Sequence, residues 1–342
     1  MSSSERKSSL LPKPSPRGIV RGAFLVFFVY LCVRLWQFAL WATGAGTLHV
    51  SRPEAVAGVI PIGAFTSFFL WLKTGIFDAV VPAGIVIIIG ALALSIAFKR
   101  GFCGWICPVG TVWEAAAGVG RLVRRRIPGA PKWIGRKLPV PRWLDVALRG
   151  VRYAVSAMLL FWLAAVSAAE AIDFQKLQYY AAADVKILSY FVHMPLWYFG
   201  FGATVAVGSL LFGNVWCRYM CPLGGLYGAA GCASACTVVR DAEKCIDCGM
   251  CAKACHADVA VDTARSVRAP ECDGCADCVL ACPKRGALTV RVFERFQMPW
   301  WALPTLAVAL WFGIYGVALL TGHWHSVLPE SYFVQAVRSL GL

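Results

Sequence analysis

The sequence predicts a mainly α, polytopic helical membrane protein with an α+β cysteine-rich domain inserted before its last span. Three observations carry this. The 342-residue chain is 59% apolar and 15% charged, with a mean hydropathy of +0.64, too apolar for a soluble domain. Five stretches are long enough to cross a hydrocarbon core of roughly 30 Å, which takes about 20 helical residues. Fifteen cysteines fall mostly into runs of fixed spacing.

The chain opens on a polar tail, 1–22, carrying Arg6, Lys7, Lys13, Arg17 and Arg21. No cleavable signal peptide is expected, because the first apolar stretch is long enough to stay as a helix. That stretch, Ala23–Ala42, is the first span. It holds Cys32, read as a packing residue, and Arg34, twelve residues in. A charge at that depth is costly and is a functional residue by default. A quinone headgroup would suit it; snorkelling to the outer edge is the alternative.

Ala55–Leu72 is nearly as apolar but carries Gly58, Pro61 and Gly63. Positive charge decides its course. The N-terminal tail is basic. So is the loop after the second span, Val80–Phe98, which holds Lys99, Arg100, Arg121, Arg124, Arg125, Arg126, Lys132, Arg136, Lys137, Arg142 and Arg149. Both belong in the cytoplasm, so an even number of crossings separates them. Ala55–Leu72 then reads as re-entrant or interfacial on the outer side, where non-helical backbone needs a protein or water-filled cover. The third and fourth spans are Tyr153–Ala169 and Leu196–Gly213, joined by an outer loop, Glu170–Pro195. The fifth, Trp300–Thr321, leaves the C-terminus outside. The net charge of +15 is explained by this topology, and nucleic acid is not indicated as a partner.

The second and fourth spans end in the same phrase. Phe102-Cys103-Gly104-Trp105-Ile106-Cys107-Pro108 matches Trp216-Cys217-Arg218-Tyr219-Met220-Cys221-Pro222. The core is therefore expected to be two tandem two-helix repeats, 23–110 and 150–231, parallel and related by an axis along the membrane normal. A basic loop, 111–149, joins them. On a helical face, Cys-x3-Cys places two sulfurs together, and Pro then ends or kinks the helix. Four such thiols, Cys103, Cys107, Cys217 and Cys221, could hold a metal or a further cluster, or act as dithiols. Packing cysteines are the plain alternative.

The segment 232–297 carries eight cysteines: Cys245-x2-Cys248-x2-Cys251-x3-Cys255 and Cys272-x2-Cys275-x2-Cys278-x3-Cys282-Pro283. This is the bacterial two-cluster ferredoxin spacing. Each run lends its fourth thiolate to the other cluster. One [4Fe–4S] cluster is expected on Cys245, Cys248, Cys251 and Cys282, the other on Cys272, Cys275, Cys278 and Cys255. Zinc sites use two-by-two pairs and leave a third cysteine without a role. Cys232 and Cys236, just upstream, read as structural. Residues 298–342 form the last span and an outer tail.

Haem is not indicated. The five histidines, His49, His193, His256, His323 and His325, do not pair within spans, and no Cys-x2-Cys-His occurs. The four at the outer edge suit a quinol headgroup, a metal, or simple interfacial packing.

Taken together, the two Cys-x3-Cys-Pro motifs and the cysteine octet resemble the NapH/NosR-type membrane polyferredoxins. Ser51-Arg52-Pro53-Glu54-Ala55-Val56, Ile60-Pro61-Ile62-Gly63-Ala64 and Gly322-His323-Trp324-His325 fit the same group. The resemblance runs from about Arg21 onward. It implies a bacterial inner-membrane protein passing electrons between the quinone pool or a cytoplasmic donor and a redox partner, as in a quinol dehydrogenase subunit. Three features depart from the pattern: no large flavin-binding domain precedes the first span, Cys255 is followed by His256 rather than Pro, and five spans are read. An alternative is a membrane copper reductase or assembly factor, since soft thiolates favour Cu(I). A span with cytoplasmic clusters and no haem also leaves roughly 30 Å for a mobile quinone or buried cofactors to bridge.

Overall fold

The computed structural model of the chain describes residues 16–59, 61–126 and 140–340. Arg6, Lys7, Lys13, Lys132, Arg136 and Lys137, used above to orient the chain, lie outside them. The fold is mainly helical: α1 (Pro16–Thr43), α2 (Pro61–Thr74), α3 (Pro82–Phe98), α4 (Pro108–Arg126), α5 (Arg142–Ala165), α6 (Ala168–Lys176), α7 (Gln178–Ala181), α8 (Ala183–Val192), α9 (Leu196–Phe212), α10 (Pro222–Cys232), α11 (Met250–Ala254), α12 (Asp277–Leu280), α13 (Ala302–Leu320) and α14 (Glu330–Ser339). It is a polytopic helical protein with an inserted ferredoxin domain.

The long helices present large apolar side chains outward: Val26 and Tyr30 on α1, Phe161 on α5, Leu196, Trp197 and Phe199 on α9. Water would not tolerate such a belt on a monomer; lipid does. α1, α5 and α13 are long and apolar enough to span by themselves. α3 and α9, with 17 residues each, are at the short end of the spanning range. α9 joins α8 across an 89° bend, so the pair counts as one broken span at most. Five spans were expected from composition; three meet the length by themselves because Lys99 and Gly213 stop α3 and α9 early.

Several boundaries differ from the sequence expectation. The basic segment 111–149 is not a loop throughout. It begins within α4, an amphipathic helix of 19 residues, and ends inside α5, which starts at Arg142, before the expected Tyr153. The polar residues here alternate with apolar ones at helical spacing, which a span search discards. The outer segment Glu170–Pro195 is likewise helical, as α6 to α8. Ala55–Leu72 becomes a 3-10 turn, Glu54–Val59, followed by α2. α2 has 14 residues, about 21 Å at 1.5 Å per residue, too short to cross. It packs its buried face (Ala64, Phe65) on Ile88 and Leu163.

The two repeats pack reciprocally. α4, which follows the first motif, lies on α9, which precedes the second; α10, which follows the second, lies on α3, which precedes the first, and on α5. Gly120 meets the Leu210 carbonyl at the α4–α9 crossing with no room for a side chain. This exchange brings the two motifs face to face.

The inserted domain is closed by an antiparallel sheet ordered β1-β2-β3, with β1 Cys236–Arg240, β2 Leu288–Val292 and β3 Phe296–Met298. Cys236 faces Val292 and Arg240 faces Leu288. β1 precedes the cysteine octet and β2 follows it, so the sheet ties the two ends of the segment together. Val238, Val259, Val261, Val267 and Leu288 form its core around Cys251 and Cys278.

Candidate metal centres

Each cysteine run turns in the same way. Asp247 and Gly249 have φ of 49° and 64°; Gly274 and Ala276, at the equivalent places, have 67° and 60°. Left-handed residues between the cysteines curl the backbone, and a short helix, α11 or α12, then carries the third cysteine inward. The result is two groups of four. Cys245, Cys248, Cys251 and Cys282 line one cavity, with Cys248 exposed. Cys272, Cys278 and Cys255 lie within one another's field, and Cys275 beside Cys278. Burial pushes the Cys272 thiol up to about 11, with the Asp273 carboxylate adding to it. Four convergent sulfurs fit a thiolate-held iron–sulfur cluster; at the inner group His256 and Asp273 also bring ligand atoms within 4.8 Å of Cys275 and of each other. The fourth cysteine of each group comes from the other run.

The second group faces the helical bundle. A Cβ on Gly104 would sit 2.5 Å from the Asp273 carbonyl oxygen, and one on Gly274 would sit 2.6 Å from that of Phe98. The Trp105 indole donates to the Gly274 carbonyl at 3.3 Å. The loop 272–275 is thus seated directly on the first Cys-x3-Cys-Pro motif.

The two motifs do not hold their cysteines on an α-helical face, as expected. Phe102–Ile106 and Trp216–Met220 are single π-helical turns, and Cys107 and Cys221 follow in extended backbone. The wider turn and the Pro that follows redirect each second cysteine, yet the sulfurs still converge. Burial first, then Cys103 and Cys221, push the Cys107 thiol up to about 12. Cys217 is pushed up by burial and then by Cys107, Cys221 and Cys103. The four thiols thus lie within one another's field across the two repeats.

Buried arginines surround that site. Arg17 reaches the Gly104 carbonyl, and Arg152 the Cys217 carbonyl, both at 3.2 Å. Arg100 lies within hydrogen-bonding reach of Cys103, and its guanidinium is 3.0 Å from where a Gly224 Cβ would stand. Arg21 stands in the same way at Gly110, 3.5 Å away. Arg17, Arg21, Arg100, Arg152 and Arg218 line a cavity of about 70 Å³ with Cys103 and Cys217. Sequence reasoning counted Arg17, Arg21 and Arg100 as topological charge and passed over Arg152. Their Arg-to-motif spacing in the chain carries no signal; only the fold brings them in.

Arg17 also clamps the bundle to the inserted domain. It bonds Glu114 at 2.8 Å, Asp273 at 3.0 Å and Asp277 at 3.2 Å. His256, in place of a proline, is 2.9 Å from Asp273 and 4.0 Å from the Cys275 sulfur. Burial raises Glu114, but His256, Arg17 and Arg21 outweigh it and hold the carboxyl at about 2.

Arg34 is not brought to these thiols. It is partly buried on α1, thirteen residues beyond Arg21, about 20 Å farther along the helix. Cys236 is a core residue of β1, packed with Trp105, Val290 and Leu303, and Cys232 ends α10. Of the outer-edge histidines, His49 pairs with Glu330 at 3.0 Å, His193 meets the Ser189 carbonyl oxygen at 3.3 Å and His323 lies edge-on to Phe77.

Comparison with known proteins agrees with this geometry. A family model described as a 4Fe-4S binding domain matches residues 80–141 and 194–231, the two stretches that contain the motifs. YccM of Escherichia coli (strain K12), named as an electron transport protein, is 32% identical over 90% of this chain and 86% of its own. The chain belongs to the ferredoxin-type membrane electron-transport family. Among its relatives, the ferredoxin-type protein NapH of Haemophilus influenzae is 25% identical over 61% of this chain and 67% of its own. The regulatory protein NosR of Pseudomonas aeruginosa is 26% identical over 52% of this chain but only 23% of NosR. No solved structure matches the chain. Membership of this family accounts for both the lipid-facing belt and the thiol groups: this is a membrane protein of electron transport that binds iron–sulfur clusters.

Proposed function

We propose that the protein is an integral inner-membrane electron carrier, passing electrons between the quinone pool or a cytoplasmic donor and a redox partner protein. The observation that carries this reading is the seat of the 272–275 loop on the first motif, with Gly104 against Asp273. It makes three thiol sites contiguous: an outer quartet, Cys245, Cys248, Cys251 and Cys282; an inner quartet, Cys272, Cys275, Cys278 and Cys255; and the four motif thiols. When bound, [4Fe–4S] clusters supply one-electron transfer.

The chain's own residues do the rest. The exposed Cys248 leaves the outer quartet open to a soluble partner. Asp273 and the arginines hold the inner quartet against the bundle. Cys103, Cys107, Cys217 and Cys221 form a third thiolate site, for a metal, a cluster or a dithiol, at the membrane rim. Arg17, Arg21, Arg100, Arg152 and Arg218 gather at that end, which supports a cytoplasmic N-terminus and inserted domain. Arg34, farther along α1, is the candidate for a quinone headgroup arriving from the bilayer.

A second reading takes copper as substrate. Cys103 and Cys217 line the cavity at the rim, and soft thiolates favour Cu(I). Metal analysis of the purified protein decides. Iron at about eight or twelve per chain with matching sulfide and no copper supports electron transfer. Stoichiometric copper, lost in a Cys103→Ser/Cys107→Ser variant, supports the copper reading and overturns the first.

A further inference from the structure

Lys99 and Arg100 are adjacent, buried and without a close ion pair to a carboxylate among the described residues. They are 2% and 6% exposed, and neither Lys99 Nζ nor Arg100 Nε has a hydrogen-bond partner. Uncompensated buried cations are costly, so their counter-charge must lie close by. Sulfurs are first among the charged groups that act on each. Lys99 faces Cys272 and Cys232. Arg100 faces Cys103, then Asp273, which Arg17 and His256 already engage, and then Cys217. The Arg100 amide also approaches the Cys272 carbonyl, at 3.5 Å.

The internal repeat makes the pair stand out. Lys99 lies four residues before Cys103, as Gly213 lies four before Cys217. Both cap their helix in the same unusual backbone: φ 63°, ψ −148° at Lys99 and φ 97°, ψ −163° at Gly213. That region is left almost wholly to glycine. The second repeat uses glycine there; the first accepts strain to hold a lysine. The next positions are Arg100 and Asn214, again a cation only in the first repeat, the one on which the inserted domain sits. Packing does not require it, since the equivalent glycine makes the same turn.

We propose that Lys99 and Arg100 form a cationic bridge between the inner quartet and the four motif thiols, each supplying the counter-charge of one centre and raising its reduction potential. This rests on both groups being held as thiolates by a bound centre. One-electron reduction adds one negative charge to a centre, and a fixed cation beside it stabilises that added charge.

The test is a redox titration by electron paramagnetic resonance on membranes containing Lys99→Gly, Arg100→Gln and Arg100→Lys variants, with iron counted in each. Lys99→Gly adopts the residue of position 213, so it keeps the turn while removing the charge. The expected result is a tenfold fall, ~59 mV, in the reduced-to-oxidised ratio of the inner-quartet signal in Lys99→Gly. A fall of similar size in the motif-thiol signal is expected in Arg100→Gln. The outer-quartet signal stays fixed, and Arg100→Lys keeps most of the wild-type value. Unmoved potentials with iron intact overturn the proposal, as does an equal fall in Arg100→Lys, which would assign the effect to shape. Iron at about eight with no third signal in the unaltered protein would also overturn the bridge, because one of the two centres it joins would be absent. Should Arg100→Gln fail to accumulate, Lys99→Gly and Arg100→Lys decide it.

Discussion

Gly104 lies so close to Asp273 that a Cβ at position 104 would sit 2.5 Å from the Asp273 carbonyl oxygen. Backbone meets backbone there, one strand of contact from the first motif and one from the inner quartet. Gly104→Ala is expected to destabilise the protein by about 1–3 kcal/mol through overpacking and to slow electron exchange between the two thiol sites. Gly118→Ala, where only the Arg121 side chain comes within 4 Å, is the control and should be neutral or slightly stabilising. Thermal unfolding in detergent with stopped-flow reduction reads both; equal behaviour of the two variants would remove the seat from the account.

Arg17 bridges Glu114 on α4 to Asp273 and Asp277 of the inserted domain. Arg17→Gln removes one of the cations facing Asp273 and the part-buried Glu114 and Asp277, with Arg21 and His256 left in place, and should cost about 1–3 kcal/mol. Limited proteolysis is expected to release the 236–298 segment from the bundle faster in this variant. Unchanged cleavage would show that the sheet and the apolar contacts hold the domain without the ion pairs.

Acid should loosen the same clamp. Glu114 is held at about 2, below the usual 4.3, because His256, Arg17 and Arg21 favour its charged form more than burial disfavours it. A depressed folded value adds stability that is present above the unfolded pKa and is lost as pH falls through the folded one. Melting temperature should hold level from pH 7 to about 5 and fall between about 4 and 2. Glu114→Gln should flatten part of that fall, and a profile identical to wild type counts against the assignment.

Cys217→Ser and Cys248→Ser separate the sites. The first is expected to remove the motif-thiol centre and leave iron at about eight per chain; the second to disturb the outer quartet alone. Loss of all iron from Cys217→Ser would mean that the motif thiols support the ferredoxin fold rather than a separate centre.

Cys236 should behave as an ordinary core residue. It is buried in β1 against Trp105 and Val290, so Cys236→Val is expected to cost less than about 1.5 kcal/mol and to leave iron content unchanged. Any loss of iron would make it a ligand.

Much of this site was legible along the chain because cysteine spacing is itself a geometric statement. The turn between Cys245 and Cys248, or between Cys272 and Cys275, is too short to place its sulfurs anywhere but together. The repeat of Cys-x3-Cys-Pro was legible for the same reason. Its local backbone was not: the π turns at Phe102–Ile106 and Trp216–Met220 depend on neighbours that i, i+4 counting ignores. α4 was hidden by its arginines, since a search for apolar spans treats an amphipathic helix as a loop.

The sequence by itself determined a lipid-facing helical protein, two groups of four ferredoxin cysteines, and a duplicated cysteine motif at two helix ends. These follow from composition and from separations of a few residues, over which the chain has little freedom. Only the tertiary structure decided which quartet touches the bundle, that the two motifs meet, and that Arg100 and Arg152 lie beside Cys103 and Cys217. Many of those contacts join distant residues, 65 apart for Arg152 and Cys217 and 256 apart for Arg17 and Asp273. At such separations the helix packing, and not local spacing, sets which charges meet.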